Sequence, residues 1–179
     1  MGMKHRIFLA VLSASVMLGM NAPNALADDR AFFQSVAGVW TGPGEIVAGK
    51  YKGTKFNCQL TGNPLQAASA GVTLDGSCRV GVFSQPMTAV IRQSASGYEG
   101  RFLDGAAGEG LDVVSGRVEP DRVIMGITRK ALEGAMVARL TDDHAMNVTV
   151  SVKVGETMVP VIGMSLQRDL DSIAVGSIR

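Results

Sequence analysis

The sequence predicts an all-β protein, an antiparallel up-and-down barrel of about eight to ten strands behind a short N-terminal helix. Two observations carry this. After Gly38 apolar and polar residues alternate through most of the chain, without a break from Met146 to Val154, as in a strand with one buried and one wet face. Turn residues interrupt the alternation about every ten residues, at Gly62-Asn63-Pro64, Glu119-Pro120-Asp121, Glu133-Gly134 and Gly155-Glu156 among others. Hairpins in chain order close most simply on themselves, which leaves no sheet edge exposed.

The chain of 179 residues opens with Lys4, His5 and Arg6, then an apolar run from Ile7 to Met20, a turn-prone Asn21-Ala22-Pro23-Asn24, and Ala25-Leu26-Ala27. This is the three-part pattern of a secretory signal, and the apolar run falls short of the roughly 20 residues of a spanning helix. Residues 1–27 are therefore expected to be removed on export to the periplasm or beyond. No cysteine stands at the cleavage point to take a lipid. One domain over 28–168 follows, with a frayed tail over 169–179. An outer-membrane barrel would show aromatic girdles and usually an aromatic last strand. Here aromatics are 5% of the chain and the outward positions are polar, so a protein that does not span the membrane is expected.

Asp29 to Val36 can form one or two helical turns with Asp28 or Asp29 as N-cap. Strands are expected near 38–48, 52–61, 71–81, 85–94, 97–103, 110–118, 122–130, 134–141, 145–154 and 158–168. With 17 basic against 16 acidic side chains, the chain lacks the basic excess of a nucleic-acid binder. Cys58 and Cys78 share inward parity with Phe56, Leu60, Leu74 and Val80. A hairpin centred near residue 68 sets Cys58 opposite Cys78 and Phe56 opposite Val80. In an oxidising compartment the pair reads as a structural disulfide. Closing a loop of about twenty residues contributes roughly 3 kcal/mol in the chain-entropy model.

Chemistry-bearing groups are sparse. His144 stands in a polar Asp-Asp-His turn and reads as an ordinary exposed histidine. The glycine-rich Asp104–Asp112 segment lacks the alternating acidic ligands of a Ca²⁺ loop and reads as a flexible hairpin loop. Lys50-Tyr51-Lys52, with Lys55 and Phe56, is a basic-aromatic cluster that either steers an anionic ligand or an envelope surface or is a solvated hairpin tip. The common hydrolase motifs are missing, so neither an enzyme nor a metal or cofactor site is expected.

Gly38-Val39-Trp40, opening the first strand after a short helix, resembles the Gly-x-Trp signature of the lipocalins and their calycin relatives. That resemblance implies a Trp that plugs one end of the barrel and an Arg from the last strand packed across the indole. Arg168 is placed for this role: it shares inward parity with Met158, Ile162, Met164 and Leu166. Trp40 is then expected to be buried under Arg168, with the first and last strands paired and Phe32 and Phe33 covering the same end. Gly38 would leave room beside the indole. Trp40-Thr41-Gly42-Pro43-Gly44-Glu45 also looks like the opening strand of nitrobindin-like barrels, whose haem-bearing members use a late histidine. A third resemblance is to periplasmic metalloprotease inhibitors, small disulfide-bonded barrels whose N-terminal segment enters a protease cleft.

The expected role is that of a non-catalytic binding protein. Leu74, Met87, Ile91, Phe102, Met125, Met136, Met146 and Met164 are the candidate lining for an apolar or amphipathic small ligand, and methionine adapts to varied guests. The other expectation is an envelope protein–protein module such as a protease inhibitor, with Asp28 to Val36 as the inserting segment.

Overall fold

The computed structural model describes residues 25–66, 69–95, 97–103 and 110–170. Among them are one helix, α1 (Ala25–Ser35), and ten strands: β1 (Gly38–Ile46), β2 (Lys55–Pro64), β3 (Gly71–Val80), β4 (Phe83–Ser94), β5 (Gly97–Leu103), β6 (Leu111–Glu119), β7 (Arg122–Arg129), β8 (Leu132–Leu140), β9 (Ala145–Val154) and β10 (Thr157–Arg168). Each strand pairs antiparallel with the next, and β1 pairs with β10, so the sheet is a closed barrel. The expected leader falls outside the described residues up to Asn24, as do 171–179 of the expected tail and 104–109 of the acidic glycine-rich loop.

The period-two pattern works because a closed sheet has one inside. Val123, Met125 and Ile127 of β7 are buried, and so are Met146 and Val148 of β9. The β2–β3 register pairs Cys58 with Cys78 and runs unshifted from Asn57↔Arg79 to Pro64↔Val72. Cys58 and Cys78 are joined by a disulfide across this pair, with Cα atoms 4.0 Å apart.

Two inward assignments fail, each for a local reason. Val80 is 45% exposed, because it lies in the last step before the β3–β4 turn, past the final β2–β3 pair. Met158 is 44% exposed, because the β9–β10 register shifts between Pro160 and Ile162. That extra residue reverses the parity of everything before it, as a bulge does. The helix also departs from expectation. It begins at Ala25, so Asp28 and Asp29 lie within it and neither is its N-cap.

Up-and-down order sorts the connections into two groups. The β2–β3, β4–β5, β6–β7 and β8–β9 turns lie at the end covered by α1, here the helix end. The β1–β2, β3–β4, β7–β8 and β9–β10 turns, with the described ends of β5 and β6, form the opposite rim.

Replacing both Cys58 and Cys78 by serine is expected to lower the unfolding free energy by about 2–4 kcal/mol. Urea denaturation followed by circular dichroism would measure this; an unmoved midpoint would show that the crosslink adds nothing to the hairpin.

Candidate functional site

At the helix end the chain builds a plug. Trp40 stands directly opposite Arg168 in the β1–β10 register. Its side chain is 1% exposed and its indole Nε1 donates to the Val36 oxygen at 2.9 Å. The Arg168 guanidinium carbon lies 4.3 Å from the centre of the Trp40 ring, a cation–π arrangement. Arg168 Nε donates to the Asp143 oxygen at 2.8 Å, Nη1 to the Ala37 oxygen and Nη2 to the Ser35 oxygen. The last two acceptors belong to the end of α1 and the residues just after it, where main-chain oxygens lack helical partners and favour a cation. Since α1 has no basic residue in its last turn, Arg168 supplies that charge from the far end of the chain. Burial lowers the Arg168 pKa from its ordinary value, opposed by the nearby Asp143 carboxylate.

Gly38 serves this contact in two ways. Its φ of 108° is in the left-handed region, and a Cβ there would lie 3.3 Å from Arg168 Nη1. The space it leaves is taken by the guanidinium itself.

The helix is held on its other flank by Tyr98 at the start of β5. The Tyr98 hydroxyl donates to Asp29 Oδ2 at 2.6 Å, and its ring centre lies 5.6 Å from that of Phe33. Burial first, and then the Asp29 carboxylate, push the phenol far above its ordinary pKa. Phe32 meets Phe33 edge-on with ring centres 5.7 Å apart, and both are buried.

Above this floor lies a cavity of about 110 Å³. Its wall includes Leu74, Met87, Ile91, Phe102, Met136, Met146 and Met164, and its floor includes Trp40, Phe32, Phe33 and Val36. Met125 is fully buried but is not on the wall; its sulfur would lie 2.3 Å from a Cβ on Gly116, so it fills the space that this glycine leaves under Tyr98. Thr88 is the polar side chain of a lining that is otherwise aliphatic, aromatic or sulfur-bearing. Sequence reasoning missed Ala89 and the helix side chains as wall residues. Ala89 had a signal, since it shares parity with Met87 and Ile91. Phe32 and Phe33 were read as a cover, and nothing local says that they also face a void.

The remaining candidates sit elsewhere. The His144 side chain is exposed in the β8–β9 turn, and its main-chain oxygen accepts from the Arg168 amide at 2.8 Å. Lys50 Nζ lies 5.5 Å above the exposed Tyr51 ring, whereas Phe56 leaves that cluster and turns inward across Gly44. Among the described residues no helix is long and apolar enough to cross a membrane. The outer wall carries ion pairs between neighbouring strands, including Arg92–Glu99 and Arg101–Asp112.

No family model matches the chain, and no curated protein matches it. Among solved structures, the barrel is similar to that of Rv2717c from M. tuberculosis, with a TM-score of 0.55 and 15% sequence identity over 83% of this chain and 98% of that one. At that identity the likeness concerns the fold alone.

Arg168→Ala is expected to cost about 1–3 kcal/mol through lost packing and main-chain oxygens left without donors. Thermal unfolding of the variant would measure it, and an unchanged melting temperature would mean that the plug closes without the guanidinium. A second expectation concerns alkaline pH. A phenol whose pKa is raised by folding stabilises the fold fully below about pH 10 and progressively loses that contribution as pH rises above it. Unfolding free energy should therefore fall in that range, and Tyr98→Phe should flatten the fall. An equally steep loss in the variant would remove Tyr98 as its source.

Proposed function

We propose that the protein is a non-catalytic binding protein of the periplasm or the secreted space, a calycin-like barrel that receives the apolar part of a small or amphipathic ligand. The observation that carries this reading is the apolar cavity between the Trp40 plug and the rim, with Met87, Met136, Met146 and Met164 in its wall. An empty volume lined this way stays dry and gains from a hydrocarbon guest. At about 110 Å³ it is smaller than the roughly 150 Å³ cavity that admits benzene in an engineered core. The fitting guest is thus narrow, an acyl chain end or a single ring, with room added as methionine side chains change rotamer. The Gly38–Trp40–Arg168 closure supports the calycin-like assignment, and the N-terminal signal pattern with the Cys58–Cys78 bridge supports the compartment.

The protease-inhibitor alternative requires Asp28 to Val36 to leave the barrel and enter a cleft. Phe32, Phe33 and Val36 are buried against the cavity floor, and the carrier reading is the better supported for that reason.

Trp40 is the single tryptophan of the chain and borders the cavity, so its emission reports on occupancy. Titration with saturated fatty acids of increasing length is expected to give a saturable change in emission. Ala89→Leu, which adds bulk to the wall, should weaken binding on the order of tenfold, equivalent to about 1.4 kcal/mol. Emission indifferent to every chain length would count against the carrier reading, as would equal affinity in the folded variant.

A further inference from the structure

The two ends of the barrel differ in charge and in apolar exposure. Every lysine among the described residues, Lys50, Lys52, Lys55, Lys130 and Lys153, lies in or beside a turn of the rim. Arg79, Arg129 and Arg101 are there too, against Glu45, Glu133, Glu156 and the Asp112 that pairs with Arg101; Asp104 and Glu109 fall outside the described residues. At the helix end the cations are arginines, and several are tied up in pairs. Arg117 and Arg122 flank Glu119, which lowers the Glu119 pKa, Arg122 contributing most, and Arg139 meets Asp121. Among the described residues no carboxylate lies within ion-pair distance of Lys52, Lys55 or Lys153.

The apolar exposure falls at the same end. Val82 is 92% exposed and Phe83 78%, side by side at the β3–β4 tip. β4 meets β5 only from Thr88↔Leu103 onward, so among the described residues Phe83 to Met87 extend past their β5 neighbour. Leu132, Val154 and Met158 are the exposed apolar residues beside the β7–β8 and β9–β10 turns. For β10 the bulge is the cause, since it turns Met158 outward. A projecting apolar tip among hydrated ammonium groups is costly in water and matches an interface with hydrocarbon below and anionic headgroups above.

We propose that the rim docks the barrel onto a lipid bilayer bearing anionic headgroups, with Val82 and Phe83 inserted and the lysines of the β1–β2, β7–β8 and β9–β10 turns on the headgroups. The orientation points the rim, rather than the Trp40 plug, at the membrane. It does not depend on whether the cavity holds a guest: Ala89→Leu should leave docking unchanged even if it abolishes ligand binding, which keeps the two proposals separately testable.

Flotation with phosphatidylcholine vesicles, with and without phosphatidylglycerol, tests the docking. The wild-type protein should float with the anionic vesicles, much less with the neutral ones, and detach as salt is raised. Val82→Ser with Phe83→Ser, and separately Lys50→Glu with Lys52→Glu, should each cut the bound fraction on the order of tenfold. All four positions are exposed, so the near-UV spectrum around Trp40 should not change. The variants share the wild-type N-terminus, and any contribution from it cancels in the comparison. Undiminished binding in both variants overturns the proposal, as does equal binding to neutral vesicles or no binding at all. A dimer that the Val82→Ser, Phe83→Ser variant breaks, with no vesicle binding, overturns it in favour of a second copy of the chain.

Discussion

Stacked on Trp40 and bonded to the oxygens of Ser35, Ala37 and Asp143, the Arg168 guanidinium ties the helix, the first strand and the β8–β9 turn to the last strand. The charge is partly buried rather than sealed off, and its donors find acceptors while its face finds a π-system. The demand is geometric as well as energetic. A slip of one residue in the β1–β10 pairing would carry Arg168 to the outer face and leave Trp40 opposite a different partner. The contact therefore selects the register at which the sheet closes, and closure register together with strand number sets how wide the interior is.

The interior follows from that width. Ten strands enclose more space than the narrow eight-stranded case, in which side chains alone fill the middle. Unbranched methionines line much of what remains, and Trp40, Phe32 and Phe33 form its floor. Plug and cavity thus share residues. A guest resting on the floor would stabilise the folded barrel by mass action, and loosening the plug would change the shape of the floor.

Much of this was legible in the sequence. All ten strand positions could be read from alternation and turns, and the β2–β3 register from the two cysteines, because both signals are local or fixed by one covalent bond. The expected wall residues other than Met125 line the cavity because parity alone places them. Parity fails where a count is interrupted: the bulge before Ile162 hides Met158 from it, and the tip position of Val80 defeats it. Asp29 was misread for another reason. A carboxylate near a helix start suits an N-cap, but the helix begins upstream and the group bonds Tyr98, a partner 69 residues away that no local pattern reveals. The size of the cavity was not legible either, since it depends on the strand number and stagger of the whole barrel.

The pairing of β1 with β10 has a bearing on how the chain is made. The oxygens that Arg168 satisfies belong to residues synthesised early, and Ala37 and Arg168 are 131 positions apart. Until the final strand emerges, the nascent sheet has two open edges and a helix end without its cation. Such a chain has little to hold it closed. It also means that a chain shortened before residue 168 presents edge strands and an unsealed interior to proteases. Completion of the last strand removes both edges and supplies the helix end with its cation at one stroke.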